Sequence, residues 1–186
     1  MVLVWRGWEV GLVLTPWIGR KTPEYQGGFL LDGGVHFVAG LRFLLGAAGQ
    51  EIKQLVGTSG LLDEKLIPVD TVHAVATTQD RKSGTIIISF GTEFKSGTEV
   101  EVVTTKGVVS WNPVEVKTVT SKGEEKKEFP SSSGVTEEVA AFGEALAAGK
   151  IDNLQSPEEA LKDLELLQGL LESGAGEGAV VKAIGL

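Results

Sequence analysis

Apolar residues change their spacing several times along this 186-residue chain, and each change predicts a different kind of element. Residues 2–14 are a near-continuous run of Val, Leu and Trp and read as a buried first strand. Thr15 to Gln26 contain Pro16 and Pro23 and read as a loop carrying Trp17, Arg20 and Tyr25. Gly27-Gly28 frees the backbone to turn. Leu, Val and Phe at helical spacing then predict a helix to about Ala48, stopped by Gly49.

A short strand at 52–57 follows, and a connecting stretch leads to Pro68. From Asp70 the period becomes two. Asp70 to Thr78 alternates, and Thr85 to Phe90 is its partner across Asp80-Arg81-Lys82-Ser83-Gly84. Residues 100–105, 108–111, 114–120 and 125–129 supply four more strands with Gly or Pro turns, a meander that predicts a mostly antiparallel sheet. The mixed charges Glu124 to Glu128 suit a solvated sheet edge. After the loop 130–134, helical spacing returns twice. Val135 to Ala148 sets Val139, Phe142 and Leu146 on one face. The closing helix has Ser156 as N-cap, Pro157 at its first position and Glu159 at its third, with Leu161, Leu164, Leu167, Leu170 and Leu171 as its stripe. Strands and helices are segregated along the chain. That predicts an α+β fold, one large mostly antiparallel open sheet with helices packed on one face, as a single domain over 1–186.

Composition narrows the partners. Seventeen Lys and Arg against 25 Asp and Glu leave a net charge of −8, which argues against nucleic acid and anionic membranes. The absence of Cys excludes disulfides and thiolate sites, and two His leave little material for a metal centre, so none is expected. The apolar N-terminal run is interrupted by Arg6 and Glu9, has no small-residue cleavage site and is too short to span a bilayer. A cytoplasmic location is expected.

Asp32 and His36 are the candidate chemistry. Four residues apart at the head of a helix, they stack one turn apart on one face. Imidazole titrates near neutrality and a neighbouring carboxylate raises its pKa, so the pair suits general acid/base work on a small molecule. The competing reading makes Asp32 a helix cap and His36 a satisfied core histidine. Trp17, Arg20 and Tyr25 either stack on and hydrogen-bond an oxygen-rich ligand, or pack at a rim with Arg20 paired to Glu24. His73, mid-strand, is favoured as structural. It lines the substrate site only if the face it shares with Thr71 turns toward the helix of His36. Gly174 to Ala179 fits G-x-G-x-x-A in letters, but a helix precedes it, so no dinucleotide site is expected there.

Gly27 to Gly46, with the glycine pair and the D-x-x-x-H spacing, follows Arg20, Pro23, Glu24, Tyr25 and Gln26. Together these resemble the substrate-binding domain of the Gfo/Idh/MocA family, the NAD(P)-dependent enzymes akin to glucose–fructose oxidoreductase and inositol dehydrogenase. The resemblance extends through Leu66–Ala74, Gly84–Thr92 and the helix at Ser156–Leu161, roughly residues 17–186 in all. It implies an open sheet whose free face often meets a second subunit. It also implies that Asp32 and His36 sit beside the substrate carbon that gives up hydride, assisted by a lysine of a Rossmann domain. Neither that lysine nor the nucleotide fingerprint has a counterpart in this sequence.

Stand-alone hydride transfer is therefore not expected, and no cofactor is assigned. Three functions remain. The preferred one is a cofactor-independent enzyme, built on the substrate-binding domain of a former oxidoreductase, that isomerises, eliminates or cyclises a small molecule through Asp32 and His36. The second is a non-catalytic binding module that pairs with a second copy through the sheet face. The third is an oxidoreductase-like protein that is inactive without a separate Rossmann chain.

Overall fold

In the computed structural model, residues 3–6, 27–94 and 97–182 are described, so Trp17, Arg20 and Tyr25 lie outside the described residues. Of the predicted first strand, β1 (Leu3–Arg6) is described, by its backbone. The other strands are β2 (Ile52–Gly60), β3 (Thr71–Thr78), β4 (Ser83–Ser89), β5 (Glu99–Thr104), β6 (Gly107–Asn112), β7 (Glu115–Thr120), β8 (Gly123–Glu128) and β9 (Val181–Lys182). They form one sheet in the order β8-β7-β6-β5-β1-β4-β3-β2-β9. Only the β1–β4 pairing is parallel among the described strands. The helices are α1 (Gly28–Ala47), α2 (Val135–Ala147) and α3 (Pro157–Ala175).

The period-two pattern decides which face the helices cover. In the β3–β4 register Val72 lies opposite Ile88 and Ala74 opposite Ile86, and all four are buried. The alternate positions His73 and Val75 are exposed. Leu30, Val38, Leu41 and Leu45 of α1 and Leu166, Leu167, Leu170 and Leu171 of α3 complete one core with Leu55 and Val100. Each fully buried Leu or Ile contributes about 2 kcal/mol. α1 is long and apolar enough to cross a bilayer by length and composition, but its leucine stripe is committed to α3 and the sheet. The helices run antiparallel: Gly27 lies against Leu171, Gly34 against Leu167, and Arg42 against Glu159 and Asp163.

Two elements depart from the sequence pattern. β9 adds an outer strand through pairs of Gln54 with Lys182 and Leu55 with Val181, which is too short to leave a period. α2 forms as predicted, yet Val135, Val139, Phe142 and Leu146 remain 57, 64, 52 and 64% exposed. It is not part of the helical layer that α1 and α3 lay on the sheet. The charged strand β8 is exposed throughout at the opposite edge, with Lys117–Glu124 (2.8 Å) and Lys126–Glu115 (3.6 Å) bridging it to β7.

Candidate functional site

The glycine pair seats the start of α1. Gly28 adopts φ +47°, and a Cβ there would meet Pro68 Cδ at 2.7 Å and the Ile67 carbonyl oxygen at 2.9 Å. Only glycine fits both the left-handed backbone and that contact. Gly27 is the N-cap, with no side-chain cap, so Asp32 has no capping role.

One turn further, Phe29, Gly33 and Phe37 receive the ring of Phe90, which follows β4. Phe29 meets it edge-on with centroids 5.0 Å apart and an interplanar angle of 87°, and Phe37 lies at 6.0 Å. A Cβ on Gly33 would stand 2.7 Å from Phe90 Cζ. Phe90 is itself fixed: its backbone N–H donates to the carbonyl of Asp70 at 2.9 Å. The Asp70 carboxylate, fully buried, accepts from the backbone N–H of Leu62 (3.0 Å) and Asp63 (2.8 Å) and from Thr71 Oγ1 (2.8 Å). Thr71 Oγ1 also meets Ser89 Oγ at 2.7 Å. A buried carboxyl group held by that many donors locks the 61–70 loop to the sheet end, and through Phe90 it sets the height of α1.

Asp32 and His36 are both exposed, one turn apart on the face of α1 that points away from the core. The core-histidine reading of His36 is thereby excluded. The same outward stripe continues through Ala39 to Phe43, which is 58% exposed. Two hollows stand out among the described residues, and neither is lined by Asp32 or His36. One is a void of about 20 Å³ behind Leu41, Leu45 and Ile86. The other is an open groove of about 700 Å³ that begins at Ala39 and Gly40 and runs past Phe43 to Leu154 and Glu165. Asp32 and His36 thus form an exposed wall on the outer face of α1.

His73 lies elsewhere. It points to the sheet face opposite the buried Val72 and Ala74, so the face it shares with Thr71 turns away from α1. The condition under which it would line the substrate site with His36 is not met, because strand alternation puts odd and even positions on opposite sides.

Asp70, Phe90 and Arg42 support the site and were not singled out from sequence. Arg42 donates to Asp163, to Glu159 Oε2 (2.7 Å) and to the Glu159 carbonyl (3.1 Å), and Lys162 adds a 3.0 Å contact to Glu159. Partial burial disfavours the Arg42 charge, but the hydrogen bonds it donates to Asp163 and Glu159 outweigh it and raise its pKa. The Arg42 hydrogen bond, then that of Lys162, lowers the pKa of Glu159. The signal available in sequence was the i,i+4 pair Glu159 and Asp163 on a helix.

A nicotinamide dinucleotide does not fit the described residues. It needs a helix N-terminus free to receive the pyrophosphate behind a glycine turn. The start of α1 is covered by Ile67 and Pro68, that of α3 is capped by Ser156 Oγ, and the first turn of α2 carries Glu137 and Glu138. The glycine-rich run 174–179 forms the end of α3 and the turn into β9, with Gly174 seated against Ser59. Among the described residues no three carboxylates or imidazoles converge on a metal site.

Comparison with known proteins matches this geometry to oxidoreductases. Dehydrogenase FPY6 of Fusarium mangiferae is 52% identical over 171 residues, an alignment covering 89% of this chain and 48% of that protein. An oxidoreductase from Thermotoga maritima superposes with TM-score 0.80 at 28% identity, over 98% of this chain and 53% of its own. Levoglucosan dehydrogenase, solved with NADH and levoglucosan, superposes with TM-score 0.79 at 15% identity, over all of this chain and 59% of its own. The chain therefore spans about half the length of the curated relative and of these structures. The family model of the GFO/IDH/MocA C-terminal domain matches residues 3–110. With its open sheet, its glycine-seated helix and more than half its length matched, the chain belongs to the Gfo/Idh/MocA family, as a C-terminal domain of that kind.

Proposed function

We propose that Asp32 and His36 are the substrate-side acid/base pair of a dehydrogenase-type oxidoreductase whose dinucleotide is held by a second domain. One observation carries this reading: both groups are exposed, one turn apart, on a helix face that looks away from its own core. Their helix is held from behind by Phe90, itself fixed by Asp70, so the two exposed side chains stand on a rigid support. The 52% identity with a dehydrogenase that is about twice as long supports the same division of labour.

The chemistry that falls to this chain is proton transfer. A neutral His36 accepts the proton of a substrate hydroxyl, and Asp32 either stabilises the resulting imidazolium or accepts a hydrogen bond from a neighbouring hydroxyl. A positioned base of this type contributes about 10²- to 10⁴-fold in rate. The substrate class is a small hydroxyl-bearing molecule, in keeping with relatives named as dehydrogenases.

The test joins the half of dehydrogenase FPY6 outside the match ahead of this chain and follows reduction of NAD or NADP with a panel of small alcohols and sugars. Asp32→Asn and His36→Ala should each lower kcat by about 10²-fold or more with the domain still folded. Undiminished turnover in both variants refutes the assignment.

A second reading is cofactor-independent isomerisation, elimination or cyclisation by the same pair. The exposure of both side chains is compatible with it, since proton transfer needs no dinucleotide. It predicts turnover by the chain alone, lost in His36→Ala, and no thermal stabilisation by NAD or NADP.

A further inference from the structure

The acid/base stripe of α1 has a stop at one end. Gly28, Asp32 and His36 are spaced by four, so the three stand in line along the helix. The Cα–Cβ bond of a helical residue tilts toward the N-terminus, so the Asp32 side chain leans over the turn that begins at Gly28. Glycine leaves the space above that turn without a side chain of its own, and another segment fills it. Pro68 Cδ and the Ile67 carbonyl oxygen stand 2.7 and 2.9 Å from where a Gly28 Cβ would lie. Ile67 and Pro68 therefore abut the line of the stripe about one helical pitch, about 5.4 Å, ahead of Asp32. Past His36 the line runs on toward the groove at Ala39 and Gly40, so the stop stands at the Asp32 end.

The stop is apolar and firmly held. Ile67 is 49% exposed, at the end of the loop that Asp70 locks through the backbone N–H groups of Leu62 and Asp63. The Asp63 carboxylate is engaged within the loop, where it accepts from the Lys65 backbone N–H at 2.9 Å. Glu64 and Lys65 belong to the 3-10 turn Glu64–Leu66, which ends before Ile67. On the flank of α1, Phe29 lies about 60° round the helix from Asp32 and is held edge-on by Phe90. A lone exposed isoleucine is ordinary on a protein surface. This one is fixed beside the carboxylate assigned to the substrate. Resting on the acid/base reading under Proposed function, we propose that Ile67 is a specificity-determining residue of the substrate site. The substrate places its reacting carbinol at His36, a neighbouring hydroxyl at Asp32, and a hydrocarbon carbon beyond that hydroxyl against Ile67. A hydroxyl on that last carbon would lose its water against the isoleucine side chain, which offers it no hydrogen bond. The substrate class is accordingly a methyl-ended diol or deoxy sugar, taken in preference to its fully hydroxylated counterpart.

The test uses matched pairs that differ by one hydroxyl, propylene glycol with glycerol and quinovose with glucose, in the same fusion with part of dehydrogenase FPY6. In at least one pair kcat/KM should favour the deoxy member by about tenfold or more. Ile67→Ser should lower that ratio by about tenfold, and Ile67→Val should keep it. In the chain alone, Ile67→Ser should shift Tm by no more than about 2 °C, as exposed positions do. A loss of about 5 °C or more would place Ile67 in the domain's own packing and overturn the proposal. A fusion that favours glycerol and glucose, that turns over neither pair, or whose ratio is unmoved by Ile67→Ser also overturns it. The acid/base reading still stands in those cases if Asp32→Asn and His36→Ala lower kcat on the wider panel. Turnover undiminished in both of those variants overturns the reading beneath and the role of Ile67 with it.

Discussion

Gly33→Ala is a substitution whose sign distinguishes two accounts of α1. By helix propensity alone, replacing an interior glycine with alanine stabilises by about 1 kcal/mol. The structure argues the other way. The added methyl would lie 2.7 Å from Phe90 Cζ, well inside van der Waals contact. The tip of a free ring could swing aside, but this ring is held edge-on by Phe29 at 5.0 Å and flanked by Phe37 at 6.0 Å. Moving it forfeits aromatic contacts worth about 0.5–1.5 kcal/mol each, and overpacking of this kind costs about 1–3 kcal/mol. The net expectation is a destabilisation of about 1 kcal/mol, or about 0.5 M in urea midpoint. Equilibrium unfolding of Gly33→Ala, Phe90→Leu and the double variant measures it. In the Phe90→Leu background the ring is gone, and Gly33→Ala should become neutral or stabilising. A Gly33→Ala protein that is more stable than the parent in the Phe90 background refutes the seating of α1 on Phe90, and with it the rigidity claimed for the Asp32–His36 wall.

Two further outcomes follow from the supporting groups. Asp70→Asn replaces an acceptor of three donors with a side chain that places an amide N–H among them, and should cost about 2–4 kcal/mol, read as a fall in Tm of about 5–15 °C; an unchanged melt would mean the carboxylate does not hold the 61–70 loop. Glu159 has its pKa lowered below its ordinary 4.5 by Arg42, so its contribution is present above that value and is lost as pH falls through the folded-state pKa. Stability should therefore drop on acidification below the ordinary glutamate range, by no more than about 1 kcal/mol for a pair this exposed, and Glu159→Gln should flatten that part of the profile.

The sheet was largely legible because its strands are half-buried and alternate, as in Val72, Ala74 and Ala76 against His73 and Val75. α3 was legible down to its cap, since Ser156, Pro157 and Glu159 are local chemistry. The placement of β1 between β4 and β5 was not, because no local pattern records which distant strands a four-residue segment will join. The Asp32–His36 stacking could be read from helix periodicity, but not whether the face opened on a pocket, which depends on what lies opposite. Asp70 and Phe90 escaped notice for a related reason. An Asp at the start of a strand and a Phe at the end of one are ordinary residues until tertiary contacts bring Leu62, Asp63 and α1 onto them.

β1 gives the sheet a keystone. Val4 and Trp5 pair with β4 on one side, in parallel, and all four of its residues pair with β5 on the other. Without them the other eight strands fall into two ribbons, β9-β2-β3-β4 and β5-β6-β7-β8, with no strand pairing between them. The ribbon with α1 and α3 keeps most of the leucine core, while the other, with its charged edge, has little to hold it. Nicking the chain just ahead of β4 or β5 would spare this joint; loss of the first six residues would unhinge the molecule down its middle.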